Sequence, residues 1–289
     1  MTAVPTRLAA AAALTIVAAC SSSTATGGAG SAPAPMAAKA AAPAPPKPFE
    51  YAASTGQYRF SANRKITQSM MGQQQEVNTS DNRLMTIVLA RTTPDTITMQ
   101  LTVDSLTMVG AMGMTPPGVD KVPGAKFTAK VSPNGSFYSV TGPSAAENPL
   151  GSQMTDELGR ALPRIRAILA AGTIWTDTVN DVVKQNGLEV SRQIITKYSV
   201  MGDSVVSGEP SWKIARETAS KNSGKGNVQG QDVAVESAGT GKGVLLISKK
   251  GVLMAGQGEE TSNGSILLAA NGMQIGVNSA TTTSFAKVK

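Results

Sequence analysis

Few residues in this chain could do chemistry. It has no histidine and a single cysteine, Cys20. Lacking imidazole, it has no use of the commonest general base, the histidine-dependent triads or most zinc sites. Carboxylates stand close together at Asp177 and Asp181 and at Glu259 and Glu260, and neither spacing is that of a calcium loop. Gly239-Thr240-Gly241-Lys242-Gly243 carries part of a phosphate-loop pattern. Its first glycine is replaced by Glu236, and Gly243 stands where a metal-binding Ser or Thr belongs. The string reads instead as a hairpin turn. Ser284 and Lys287 have the Ser-x-x-Lys spacing of a lysine-activated nucleophile, but a strand would send them to opposite faces. No catalytic residue, metal ligand or soluble cofactor is expected. What remains is the Cys20 thiol, preceded by Val17-Ala18-Ala19.

The elements before Cys20 decide how that thiol is read. Arg7 supplies a positive start and Leu8 to Val17 an apolar run, with small residues before a cut site. This is the build of an export signal. The run is shorter than the roughly 20 apolar residues that span a bilayer. Val17-Ala18-Ala19-Cys20 resembles the signal of bacterial lipoproteins position by position. The resemblance implies cleavage after Ala19, acyl chains such as palmitate on Cys20, and attachment to a membrane through that lipid. Ser21 follows the cysteine where an aspartate would favour inner-membrane retention. The resemblance therefore leans toward the outer membrane of a cell envelope, facing the periplasm or the surface. Residues 1–19 are thus expected to be the signal peptide. Residues 20–48 should be the lipidated cysteine and a disordered Ala/Pro/Ser linker, too poor in apolar groups to fold.

Residues 49–289 are left to fold, enough for a core without disulfides. Hydrophobic residues make up 41% of the chain and aromatics only 4%, so that core must rest on aliphatic side chains and methionine. The formal net charge is +7, with Lys and Arg scattered rather than striped. This suits a solvated basic surface and argues against nucleic acid. Ile97, Met99, Leu101 and Val103 alternate with polar residues, as do Phe127, Ala129 and Val131, which is strand periodicity. Pro133-Asn134-Gly135 is a hairpin signal. From residue 173 onward, short strands are expected between Gly-bearing turns, with Ser220 to Gly230 as a loop and Asn263-Gly264 as a turn.

One stretch reads as helix. Leu158, Leu162, Ile165 and Leu169 form an apolar stripe over about 152–171, with Ser152 or Thr155 as N-cap and Pro163 as a kink. The expected fold is mainly β (α+β), a large curved antiparallel sheet or half-open barrel around one central kinked helix. It would form one β-domain over 49–289, or two related halves over 49–150 and 172–289. Met108, Met112 and Met114 lie among glycines and prolines and could form a flexible mouth over an apolar cavity, or simply plug the sheet. Trp175 and Asp177 form the most distinctive local string. They are ligand candidates, or a core anchor and a turn residue.

At the level of architecture, a tethered curved sheet with helical packing resembles the LolA/LolB-like lipoprotein carriers and the LppX-like envelope lipoproteins. That resemblance implies a lipid cavity. Three readings follow: a non-catalytic envelope lipoprotein acting as a binding or structural module with an envelope protein as partner, a carrier or sensor of a hydrophobic ligand, and a hydrolase, which the missing histidine and thiol disfavour.

Overall fold

The structure, a computed structural model, describes residues 47–110, 113–144, 149–158, 161–185, 187–228, 230–269 and 272–288. The signal, Cys20 and nearly all of the proline-rich stretch lie outside the described residues, as does Met112. Eleven strands are present: β1 Ser54–Met70, β2 Gln73–Thr93, β3 Thr96–Val109, β4 Lys126–Val131, β5 Phe137–Thr141, β6 Ile174–Gln185, β7 Leu188–Val206, β8 Glu209–Val228, β9 Gln231–Ser248, β10 Leu253–Leu268 and β11 Met273–Lys287. They form one antiparallel sheet in the order β5-β4-β3-β2-β1-β11-β10-β9-β8-β7-β6. Hairpins account for most neighbours. The pairing of β1 with β11 over Tyr58–Ser69 brings the first and last strands together in the middle of the sheet.

Alternation builds these strands. In β4, Phe127, Ala129 and Val131 are buried while Lys126, Thr128 and Lys130 are exposed. The same period runs through strands of up to 21 residues, far longer than the usual 5–6. Only one end of these strands is packed. The core gathers Leu89, Ile97 and Met99 from β2 and β3, Val200 from β7, Ile214 from β8, and Leu245 and Ile247 from β9.

The expected kinked helix over 152–171 is not formed. A helix, α1, spans Pro149–Leu158 only, and residues 161–173 are irregular. Thr155 is not an N-cap but bonds back to the Gly151 carbonyl inside the helix. Pro163 has no N–H to give a helix. The Ile165 N–H is donated to the Asn134 carbonyl in the β4–β5 turn, and the Trp175 indole N–H to the Arg164 carbonyl. The apolar spacing was real as burial, since Leu158, Leu162 and Ile165 are all in the core. Its carrier is a short helix followed by an extended plug.

The plug shows how the sheet curls. It reaches β2 through the Arg83–Glu157 ion pair, the β4–β5 turn through Ile165, and β7 through Gly172 N–H to Val200 O. Strands from both flanks of the sheet therefore wrap one segment. Residues 47–53 cross the same end, with Tyr51 N–H bonded to Pro133 O and Ala52 N–H to Gly251 O.

Three expected turns or loops are also corrected. Ser220 to Gly230 lies mostly within β8, Gly239 to Gly243 lies within β9, and Asn263-Gly264 lies within β10. Their glycines fall at alternate positions on one face and are the small inward members of a strand pattern.

Candidate binding face

Beyond the plug, the strands continue and their inward side chains form rows across the sheet. Register places Tyr198, Arg216, Gly243, Gly258 and Thr283 in the first row past the core. Ile194, Ser220, Gly239, Ser262 and Ser279 lie two rows on, and Arg192, Asn222, Ser237 and Gly264 in the row after that. The last rows are apolar, with Val190, Val235, Ile266 and Ile275, then Leu188, Val233, Leu268 and Met273. Most of these positions are half-buried, and no element among the described residues lies over them. The inner face is thus an apolar plug at one end, a polar band rich in glycine, serine and threonine, and an apolar rim.

The polar band is satisfied largely within itself. Arg192 grips Asp181 with Nε–Oδ1 at 2.8 Å and Nη2–Oδ2 at 2.6 Å. Asn222 donates to the Ser237 hydroxyl at 2.9 Å. Hydroxyls pair between Thr196 and Thr218 at 3.2 Å and between Ser262 and Ser279 at 2.8 Å. A groove of about 1000 Å³, lined by Asp181, Arg192, Asn222, Ser237 and Gly264 among others, lies at this level. It is open to solvent, not an enclosed cavity.

The electrostatics differ at the plug. Arg83 is bonded through Nε and Nη2 to both oxygens of Asp81, through Nη1 to Glu157 at 2.7 Å, and lies over the Phe60 ring at 5.1 Å. Burial lifts the Asp81 carboxyl above its ordinary range, while the Arg83 hydrogen bonds and charge pull it down. Burial works against the Arg83 charge too, but Asp81 and Glu157 outweigh it and hold the guanidinium more firmly protonated. Burial, with a smaller contribution from Tyr198, pushes the Tyr51 phenol well above its usual value, and burial pushes that of Tyr58 up to about 12.

The residues singled out from sequence fall in different places. Trp175 stacks on Tyr198 with centroids 4.9 Å apart, and Asp177 accepts from Arg164 Nε at 2.8 Å. Both fasten β6 to the plug. Met108 sits opposite Asp81 on the far flank of the sheet, and Met114 is 61% exposed in the loop after β3. Along the sheet, seven strands lie between Met108 on β3 and Trp175 and Asp177 on β6. Sequence reading missed Arg83, Arg192 and Arg216. Their signal was an arginine at an inward strand position: Arg83 two residues after Asp81 on one strand, Arg192 in register with Asp181, and Arg216 in register with Gly243. Among the described residues no group of three or more His, Cys, Asp or Glu could hold a metal, and no helix is long and apolar enough to cross a membrane.

No family model matches the chain, and no curated protein is similar to it. Its backbone can be laid on several solved structures. Neisserial surface protein A matches at a TM-score of 0.22 with 9% identity, over 81% of this chain and 99% of that one. Pseudomonas aeruginosa OccK2 gives 0.30 and 8%, over 81% and 98%. A putative outer membrane lipoprotein-sorting domain from Vibrio parahaemolyticus gives 0.21 and 8%, over 80% and 83%. Superpositions this loose carry no argument about function. The outward face is informative by itself. A lipid-facing barrel wall needs an apolar outward band, whereas Lys65, Lys197, Glu217, Lys221, Lys242 and Glu259 point outward here.

Proposed function

We propose that this chain is a cell-envelope lipoprotein, held to a membrane by acyl chains on Cys20, whose folded domain binds without catalysing. Its binding surface is the uncovered inner face of the sheet. The supporting observation is the run of half-buried inward rows beyond the plug, polar first and apolar last, with no described element over them. A protein with no use for that face would gain by filling it, as it does at the plugged end. The apolar rim offers burial of roughly 25 cal/mol per Å² to whatever covers it. The rim favours a ligand with an apolar part, and the polar band one with a polar part.

Two experiments test the reading. The full chain, extracted from envelopes and sprayed under native conditions, should carry a co-purified small molecule of defined mass. Bare protein at every preparation, with no uptake from added lipid extract, would end the binding proposal. Labelling with a fatty-acid probe should mark the wild type and leave Cys20→Ser unmarked, and equal labelling would remove the anchor.

A further inference from the structure

Resting on the proposed inner-face site, we infer that Arg216 is its anion-binding residue and that the ligand is an amphiphile with one anionic head, a long-chain carboxylate. Inward-facing Arg83 and Arg192 and the plug residue Arg164 have carboxylates at Asp81, Asp181 and Asp177. Arg64 and Glu260 both flank Thr281 in one row, and Arg64 Nε donates to the Thr281 hydroxyl at 3.3 Å. Arg216 has neither kind of partner. Among the described residues it has no carboxylate within 4.0 Å and no hydrogen-bond acceptor, although it is half-buried.

Its position is held by what its neighbours lack. A Cβ at Gly243 would stand 2.9 Å from Arg216 Nε, and one at Gly258 would stand 2.6 Å from Nη2. The guanidinium thus lies in the space that side chains of β9 and β10 would fill. Tyr198 flanks it on the other side, near enough for the Arg216 charge to pull the phenol down while burial raises it. A half-buried guanidinium with unused donors is worth far more to an anion than an exposed one, because water competes less. Its planar fork suits two carboxylate oxygens. From Arg216 the inner face runs through Thr218, Ser220 and Asn222 to the apolar rim at Val235, Ile266 and Ile275. Eight residues of β8, roughly 27 Å, separate Arg216 from the first rim row, so an acyl tail anchored at Arg216 would lie along the hydroxyl rows with its end toward the rim.

The test compares oleate with its neutral isostere oleyl alcohol by titration of the full chain at low salt. Wild type should bind oleate about tenfold or more tightly than the alcohol. Arg216→Gln should lose that preference while keeping its affinity for the alcohol, and Arg216→Lys should recover part of it. Circular dichroism checks the fold of each variant. Equal binding of acid and alcohol by wild type, or an oleate preference that survives Arg216→Gln, overturns the anion site and leaves the binding face standing. Absence of binding by either ligand overturns this inference, and the native mass measurement then decides whether the binding face falls with it.

Discussion

The same strands behave differently at their two ends. Along β8 the inward positions are Ile214, then Arg216, Thr218, Ser220, Asn222, Gly224 and Gly226. The first is fully buried against the plug, and the rest are half-buried. In β9 the series runs from Ile247 and Leu245 to Gly243, Gly241, Gly239 and Ser237. One end has the large aliphatic residues and close packing of a core. Beyond it, and before the apolar rim, the side chains are too small to fill a core and too polar to want one. The lesson is that stability sits at the plugged end, leaving the rest of the inner face free to be shaped by something other than folding.

That contrast is broken most directly with two arginines. Arg83→Ala would strand Asp81 in a buried site without its cation. A loss of about 3–5 kcal/mol is expected in chemical denaturation. Arg216→Ala removes a charge of the same kind from the open end, where no carboxylate depends on it, and should cost under about 1 kcal/mol. Equal costs would mean that both ends are structural.

Aliphatic residues repeat the comparison. Ile165→Ala empties a fully buried position in the plug and should cost about 2–5 kcal/mol, the range for cavity-forming truncations. Ile275→Ala takes a half-buried rim residue and should cost about 1 kcal/mol. If ligand covers the rim, Ile275→Ala should weaken ligand binding more than it weakens folding.

How far the sequence reveals this division depends on residue type. The antiparallel sheet is legible from Ile97 to Val103 and from Phe127 to Val131, where large apolar residues mark the period. Beyond them the inward residue is often glycine, serine or threonine, and the period persists without a hydrophobic signal. Gly239, Gly241 and Gly243 then look like turn residues, although tertiary packing requires them small. Pro163 signals a break in the helical stripe, but the stripe itself cannot show that Leu162 and Ile165 are buried on irregular backbone. Asp177 and Asp181 are visible as a carboxylate pair. Their arginines lie 13 and 11 residues away and meet them only once the plug and the β6–β7 hairpin form.

Alkaline pH should act on the plugged end before the open one. In the folded chain Tyr58 titrates at about 12 against an ordinary 10.0, and Tyr51 and Tyr198 are raised as well. A raised value means that the unfolded chain gives up its protons first. Stability is fully present below about pH 10 and is lost as pH climbs toward 12. Two pH units correspond to about 2–3 kcal/mol for Tyr58. Tyr58→Phe removes the hydroxyl bonded to Leu253 O at 2.9 Å. It should flatten that part of the profile, at a cost of about 1 kcal/mol at neutral pH. Denaturation midpoints measured between pH 9 and 12 check both.

One further substitution is the most discriminating for the open end, because the sign of its effect is at issue. Gly→Ala in a strand interior ordinarily stabilises by about 0.5–1 kcal/mol, since alanine has less backbone freedom to lose. At Gly243 the new methyl would meet the Gln257 carbonyl oxygen, Arg216 Nε at 2.9 Å and Gly258 Cα at 3.0 Å. Arg216 can swing away, but the two backbone groups of β10 cannot move without opening the sheet. Gly243→Ala should therefore destabilise by about 1–3 kcal/mol and push the guanidinium off its floor. A thermal shift upward instead would show that the inner wall has slack, and that glycine there serves neither the curl of the sheet nor the placing of Arg216.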